Sequence, residues 1–175
     1  MAIEVVSYNE NWPSLYEAER RLLASYADFL AFEHIGSTSI PGLEAKPIID
    51  MMAAVRDIDR CEDQLAHVRS FGYEPVETGM VGRLFFRRSD TTIPLTYHLH
   101  IVAIDTWATR NERLFRDYLL RHQEATSEYG ELKKQLARGT ADDPLAYTRA
   151  KTAFVQKVVD TERTSRGLPL VNVWE

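Results

Sequence analysis

Residues 34–50, HIGSTSIPGLEAKPIID, are the segment on which any assignment of this chain's architecture turns. Two Gly, two Pro, three hydroxyl side chains, one Lys and one Asp lie between an apolar run that closes at Ile35 and another that opens at Ile48. Such a loop is either an elaborate turn, with hydroxyls satisfying backbone groups, or a place where backbone N–H groups and hydroxyls hold a phosphate. Gly36–Ser37 follows a predicted strand, and Ser39–Leu43 could form a short helical turn whose donors favour an anion. Ser37, Thr38 and Ser39 would add hydroxyls and Lys46 a point charge. The order of residues is not that of a P-loop.

At the far end of the loop stands Asp50, flanked by Ile48, Ile49, Met51 and Met52. The run Ile48–Val55 is rich in apolar residues without alternation, as expected of a strand covered on both faces. An ionised carboxylate there costs several kcal/mol unless it is paired or bound to a metal. Asp50 is therefore a candidate general base or metal ligand, the alternative being an ion pair with a nearby Lys or Arg. A second cluster is Tyr97–His98–Leu99–His100, where residues two apart on a strand share a face. Two imidazoles so placed can hold a transition metal or meet a phosphate.

Working outward, apolar residues from Asn11 to Leu30 recur at helical spacing, with Asn11 as cap and Pro13 in the first turn. A strand is predicted over Phe32–Ile35. Asp59 is read as the cap of a helix carrying Cys61, Leu65, Val68 and Phe71, which Gly72 stops. Tyr73–Glu77, Arg83–Arg88 and Leu95–Ile104 read as three further strands. Beyond Trp107 only helical periodicity remains. Leu114, Phe115, Tyr118 and Leu119 mark one helix, and Tyr129, Leu132 and Leu136 a second. A third starts at Asp143–Pro144 and carries Tyr147, Ala150, Phe154 and Val158. The expected architecture is α+β, a sheet with a helical C-terminal portion folded against it. Residues 1–163 form one domain, followed by an apolar tail over 164–175 that should dock on its own domain or on a second subunit as a homodimer.

Composition narrows the partners. The chain has 175 residues, 45% hydrophobic and 27% charged, which is ordinary for a soluble globular domain. Its net charge of −5 repels nucleic acid and anionic lipid. No apolar run approaches the roughly 20 residues that span a bilayer, and no signal peptide is visible near Met1, so a cytoplasmic location is expected. Cys61, the single cysteine, reads as a small core residue. Arg83, Arg87, Arg88, Arg110, Arg113 and Arg116 are surface charges or ion-pair partners by default, yet could supply a local basic patch. Lys151 lies one turn after Tyr147 and shares a face with Phe154, a half-buried position suited to a ligand contact.

The runs EHIGSTSIPGLEAKPIIDMM, YHLHIV, LFRDYLLRHQEATSEYGELKKQLA and DDPLAYTRAKTAFV, with VVSYNENWPSLYEAE near the start, resemble the GrpB family. Members of that family also occur fused to dephospho-CoA kinase, and the likeness runs to about Val159. The family is similar in fold to the nucleotidyltransferase superfamily, which implies a mixed β-sheet flanked by helices. The resemblance also implies a chemistry. Gly36 and Ser37 would hold a nucleoside triphosphate, and a small-molecule acceptor would attack the α-phosphorus; the loop and helix positions read above add Thr38, Ser39, Lys46, Arg116 and Lys151 as candidate phosphate contacts. Asp50 stands where the first metal-binding carboxylate belongs, thirteen positions after Ser37. Where the superfamily carries its second carboxylate this chain has Met52, a poor ligand for a hard ion. The expected cofactor is a divalent metal, Mg²⁺ first, with Mn²⁺ or Zn²⁺ if His98 and His100 join Asp50. The alternative is a noncatalytic module that binds a nucleotide or phosphorylated metabolite.

Overall fold

The structure, a computed structural model, describes residues 5–25, 27–139 and 144–173. Helix α1, Trp12–Ala24, leads into strand β1, Ala31–Ile35, a 3-10 turn at Ser37–Ser39, and β2, Ile48–Val55. Helix α2, Glu62–Ser70, is followed by β3, Glu74–Pro75, β4, Arg83–Ser89, and β5, Thr96–Ala103. A second 3-10 turn, Ile104–Thr109, opens the helical part: α3, Asn111–Arg121, α4, Gln123–Gly139, α5, Pro144–Ala150, and α6, Thr152–Ser165.

The five strands form one mixed sheet in the order β1-β2-β5-β4-β3. β2 and β5 pair in parallel at its centre, and the other neighbours are antiparallel. Because side chains alternate across a strand, each face has its own character. Ile49, Met51, Ala53 and Val55 of β2, with Tyr97, Leu99 and Ile101 of β5 and Phe86 of β4, point to one side, where Trp12, Leu23 and Val68 close the main core. Cys61 belongs to that core, its thiol donating to the Ile58 carbonyl at 3.2 Å. The opposite side carries Asp50 and Met52 beside His98, His100 and Val102. Here a small cluster of Ile35, Met52 and Val102 packs under Trp107. A third cluster joins Ile40 and Leu43 of the loop to Leu119, Tyr129, Phe115 and Phe154 of the helices.

Strand β2 falls where the apolar run placed it, and the other elements differ at their ends. α1 stops at Ala24, where the Ser25 hydroxyl donates to the Leu22 carbonyl, rather than at Leu30. Asn11 makes no side-chain cap; the Asn9 side-chain oxygen accepts from the Asn11 N–H instead. α2 begins at Glu62, since Asp59 sits in a turn whose N–H is held by Asp57. β3 shrinks to two residues, and Pro75 has no N–H to lengthen its ladder. The helix expected to run through Phe154 is interrupted at Lys151, between α5 and α6. Tyr26, Asp143, Trp174 and the Tyr147 side chain lie outside the described residues. The segment after Ser165 lies along α6, where the Gln156 amide donates to the Val171 carbonyl at 2.8 Å and accepts from the Val173 N–H at 3.0 Å.

Candidate functional site

The chain leaves β1 through Gly36, whose φ of +71° places it in the left-handed region. Its backbone lies so close to β2 that a Cβ there would stand 2.4 Å from Asp50 Oδ2. No other residue type fits without moving the carboxylate. The 3-10 turn that follows uses two of the three hydroxyls for itself. Ser39 donates to the Gly36 carbonyl at 2.6 Å, and buried Thr38 donates to the Ile48 carbonyl at 2.8 Å. Since that proton points to Ile48, His34 Nε2, 3.0 Å from Thr38 Oγ1, is the donor in its own contact. The turn thus occupies Ser37–Ser39 and not Ser39–Leu43.

Asp50 is half-buried and pairs in register with His98 on β5, whose Nδ1 lies 2.9 Å from Asp50 Oδ1. His100 stands two pairs further along, beside Met52, with its ring stacked on Phe85 at 4.6 Å. Its Nδ1 is 3.4 Å from an Arg83 guanidinium nitrogen, which can only donate, so the proton of this neutral ring sits on Nε2. Arg83 in turn holds Glu112 of α3 at 2.5 Å. Burial pushes His100 down to about 4, and burial likewise pushes His34 down to about 4. Both rings are neutral in the folded chain and titrate nearer 6.5 once unfolded. The unfolded chain therefore binds more protons between these values, and stability should fall as pH drops from about 6.5 towards 4, by on the order of 3 kcal/mol per ring. Urea melts at pH 7 and pH 5 check this. His100→Gln should remove part of the acid loss, and an unchanged difference between the two melts would contradict the assignment.

Gly36, Ser37, Asp50 and His100 line one cavity of about 320 Å³, together with Lys151, Asn111, Glu112, Phe115, Tyr129, Val155 and Val173. A neighbouring hollow of about 220 Å³ shares Tyr129, Lys151, Val155 and Val173 with it. Residues from the loop, both central strands, three helices and the C-terminal segment thus meet in one place. Burial pushes the Lys151 amine down to about 8, repulsion from Lys46 adds to this, and Asp50 partly offsets it. Lys46 is not among the residues that line the cavity, and burial lowers its amine too.

Two of the expected groupings are not assembled. Arg116 does not line the cavity: its guanidinium pairs with Glu33 at 2.6 Å and Asp117 at 2.6 Å and donates to the His34 carbonyl, tying α3 to β1. Nor do Asp50, His98 and His100 converge on a metal position, and no group of three such ligands occurs among the described residues. One Asp50 oxygen is bonded to His98, the other faces the Gly36 backbone, and the His100 ring is held by Phe85 and Arg83. Met52 is 0% exposed in an apolar cluster. Glu112, which lines the same cavity as Asp50, has a buried Oε2 with no hydrogen-bond partner among the described residues. Sequence reading also missed Asn111, Glu112, Phe115, Tyr129, Val155 and Val173. No local spacing joins them to the loop, because only the packing of the helices and the C-terminal segment brings them there.

Comparison with known proteins gives consistent results. The model of a family described as GrpB protein matches residues 2–161. The UPF0157 protein YqkA of Bacillus subtilis is 37% identical over 157 residues; the match covers 88% of this chain and 45% of YqkA, so this chain spans less than half of that relative. The glutamate-rich protein GrpB of Alkalihalophilus pseudofirmus is 31% identical, with 89% of this chain and 93% of that protein covered. The crystal structure of conserved protein GrpB from Enterococcus faecalis superposes with a TM-score of 0.83 at 33% identity, covering 94% of this chain and 99% of the other. A chain of the GLD-2/RNP-8 complex, at 13% identity, matches with a TM-score of 0.58 over 90% of this chain and 61% of its own length. At that identity the likeness concerns fold alone, and the fold is nucleotidyltransferase-like. No helix among the described residues is long and apolar enough to cross a membrane.

Proposed function

The chain belongs to the GrpB family, and from that premise we propose that it binds the phosphate groups of a nucleoside triphosphate in the cavity beside Asp50. The observation that carries this reading is the meeting of Gly36, Ser37, Asp50 and Lys151 at one cavity wall. The Ser37 hydroxyl and the turn that begins at Gly36 offer donors, Lys46 and Lys151 offer charge, and Phe115, Tyr129 and Val155 offer apolar surface for the rest of the ligand. Thermal denaturation with a panel of nucleotides tests it. A ligand present at about 100 times its Kd should stabilise the fold by about 2.7 kcal/mol, several degrees for a domain of this size. Lys151→Met should remove that shift. The absence of any shift with millimolar nucleoside triphosphates would end the proposal.

A second reading, transfer of a nucleotidyl group, is favoured by the Asp50–His98 pair and by the fold. In it, an acceptor hydroxyl gives its proton to Asp50, its oxygen bonds to the α-phosphorus, and the bond to the bridging oxygen breaks to release pyrophosphate. Asp50→Asn separates the two. A transferase loses pyrophosphate release while keeping nucleotide affinity, and a binding module releases none in either form.

A further inference from the structure

Two arginines behind the cavity wall fix the polarity of two side chains that line it. A guanidinium only donates, so the atom that faces it is an acceptor. Arg83, with its side chain 11% exposed, reaches His100 Nδ1 at 3.4 Å and is itself held by Glu112 at 2.5 Å. The His100 ring therefore carries its proton on Nε2, and Phe85 stacked at 4.6 Å holds its plane. Arg163, 6% exposed, donates to Asn111 Oδ1 at 2.9 Å and is anchored by the Thr109 carbonyl at 3.0 Å and the Pro169 carbonyl at 2.5 Å. With its oxygen so engaged, the Asn111 amide has only its NH2 to offer. Both residues line the cavity with Gly36, Ser37, Asp50 and Lys151. Among the described residues, neither His100 Nε2 nor Asn111 Nδ2 has a hydrogen-bond partner.

A ring protonated on Nε2 and engaged on Nδ1 has no lone pair for a metal, and an amide whose oxygen is taken only donates. Donors already held by other bonds need no reordering when a ligand oxygen arrives. The same wall carries two carboxylates, Asp50 bonded to His98 and Glu112 paired with Arg83. We infer that His100 and Asn111 bind the oxygen atoms of the ligand's phosphate groups as uncharged donors, with Arg83 and Arg163 as the positioning residues. This rests on the phosphate-binding reading. It goes beyond it by making His100 a hydrogen-bond donor in place of a metal ligand and by adding Asn111 to the ligand contacts.

Two measurements test it: long-range ¹H–¹⁵N spectra of the imidazole rings, and titration calorimetry with inorganic triphosphate in EDTA and in millimolar Mg²⁺. The spectra should place the His100 proton on Nε2 in the free protein, and Arg83→Met should give a mixture of tautomers. His100→Leu should weaken triphosphate binding by about tenfold or more, and His100→Gln, which keeps an N–H, should recover most of it. Asn111→Asp keeps an oxygen for Arg163, and so the fold, but exchanges the donor for a carboxylate. It should lose about tenfold or more as well, and it is the readout if His100→Leu does not fold. A proton on Nδ1, or undiminished affinity in His100→Leu and Asn111→Asp, would overturn the inference and leave the phosphate reading standing. So would binding that needs Mg²⁺ and is lost in Glu112→Gln, since Asp50 and the unpartnered Glu112 Oε2 would then hold a cation. No binding in either buffer would overturn both.

Discussion

Gly36→Ala should destabilise the protein by about 2–5 kcal/mol, through left-handed strain of about 1–2 and steric crowding of about 1–3. The added methyl would stand 2.4 Å from Asp50 Oδ2 and 2.9 Å from Asp50 Cβ. It cannot rotate away, and the carboxylate cannot yield without breaking its hydrogen bond to His98. Urea unfolding measures the loss. The partner variant Gly36→Ala/Asp50→Ala should recover part of it, because the oxygen is gone while the Cβ contact and the backbone strain remain. A Gly36→Ala protein within about 1 kcal/mol of wild type would mean that the loop moves freely from β2, and the close approach would then be no constraint on the site.

Met52→Asp should be worse still. A carboxylate at this position would be an ionised group buried among Ile35, Val102 and Trp107. Leaving a charge in such surroundings costs about 3–5 kcal/mol or more, a large part of the 5–15 kcal/mol or so by which an ordinary domain is stable. Met52→Leu keeps the volume and should cost less than about 1.5 kcal/mol. Circular dichroism melts of the two variants decide the matter. A folded Met52→Asp protein that gains Mg²⁺ affinity would show that the position can serve a metal, and the packing account of Met52 would fail.

Position 52 also marks the boundary of what the sequence reveals. The strand over Ile48–Val55 was legible because a continuous apolar run with one acid has few other homes. That His98 and His100 share a face was legible too, from alternation. Which neighbours they meet was not, because register decides it: β2 sets Asp50 against His98 but Met52 against His100. Arg116 looked available because its spacing on α3 says nothing of Glu33, which pairing of β1 with β2 carries beneath it. The break at Lys151 was invisible for a similar reason, since the apolar spacing runs on unbroken from Ala150 to Phe154 and Val158. Thr38 and Ser39 were plausible phosphate donors by type, and only the folded turn shows that they hold backbone carbonyls.

The central claim is that phosphate enters at the Gly36–Ser37 turn. Amide ¹⁵N–¹H spectra recorded during titration with a nucleoside triphosphate test it most directly. The largest shifts should fall on Gly36, Ser37, Asp50 and Lys151, and the Lys151→Met protein should lose them. Shifts confined to the apolar groove of about 610 Å³ lined by Trp12, Leu15, Pro47 and Leu95, or no shifts at all, would contradict it.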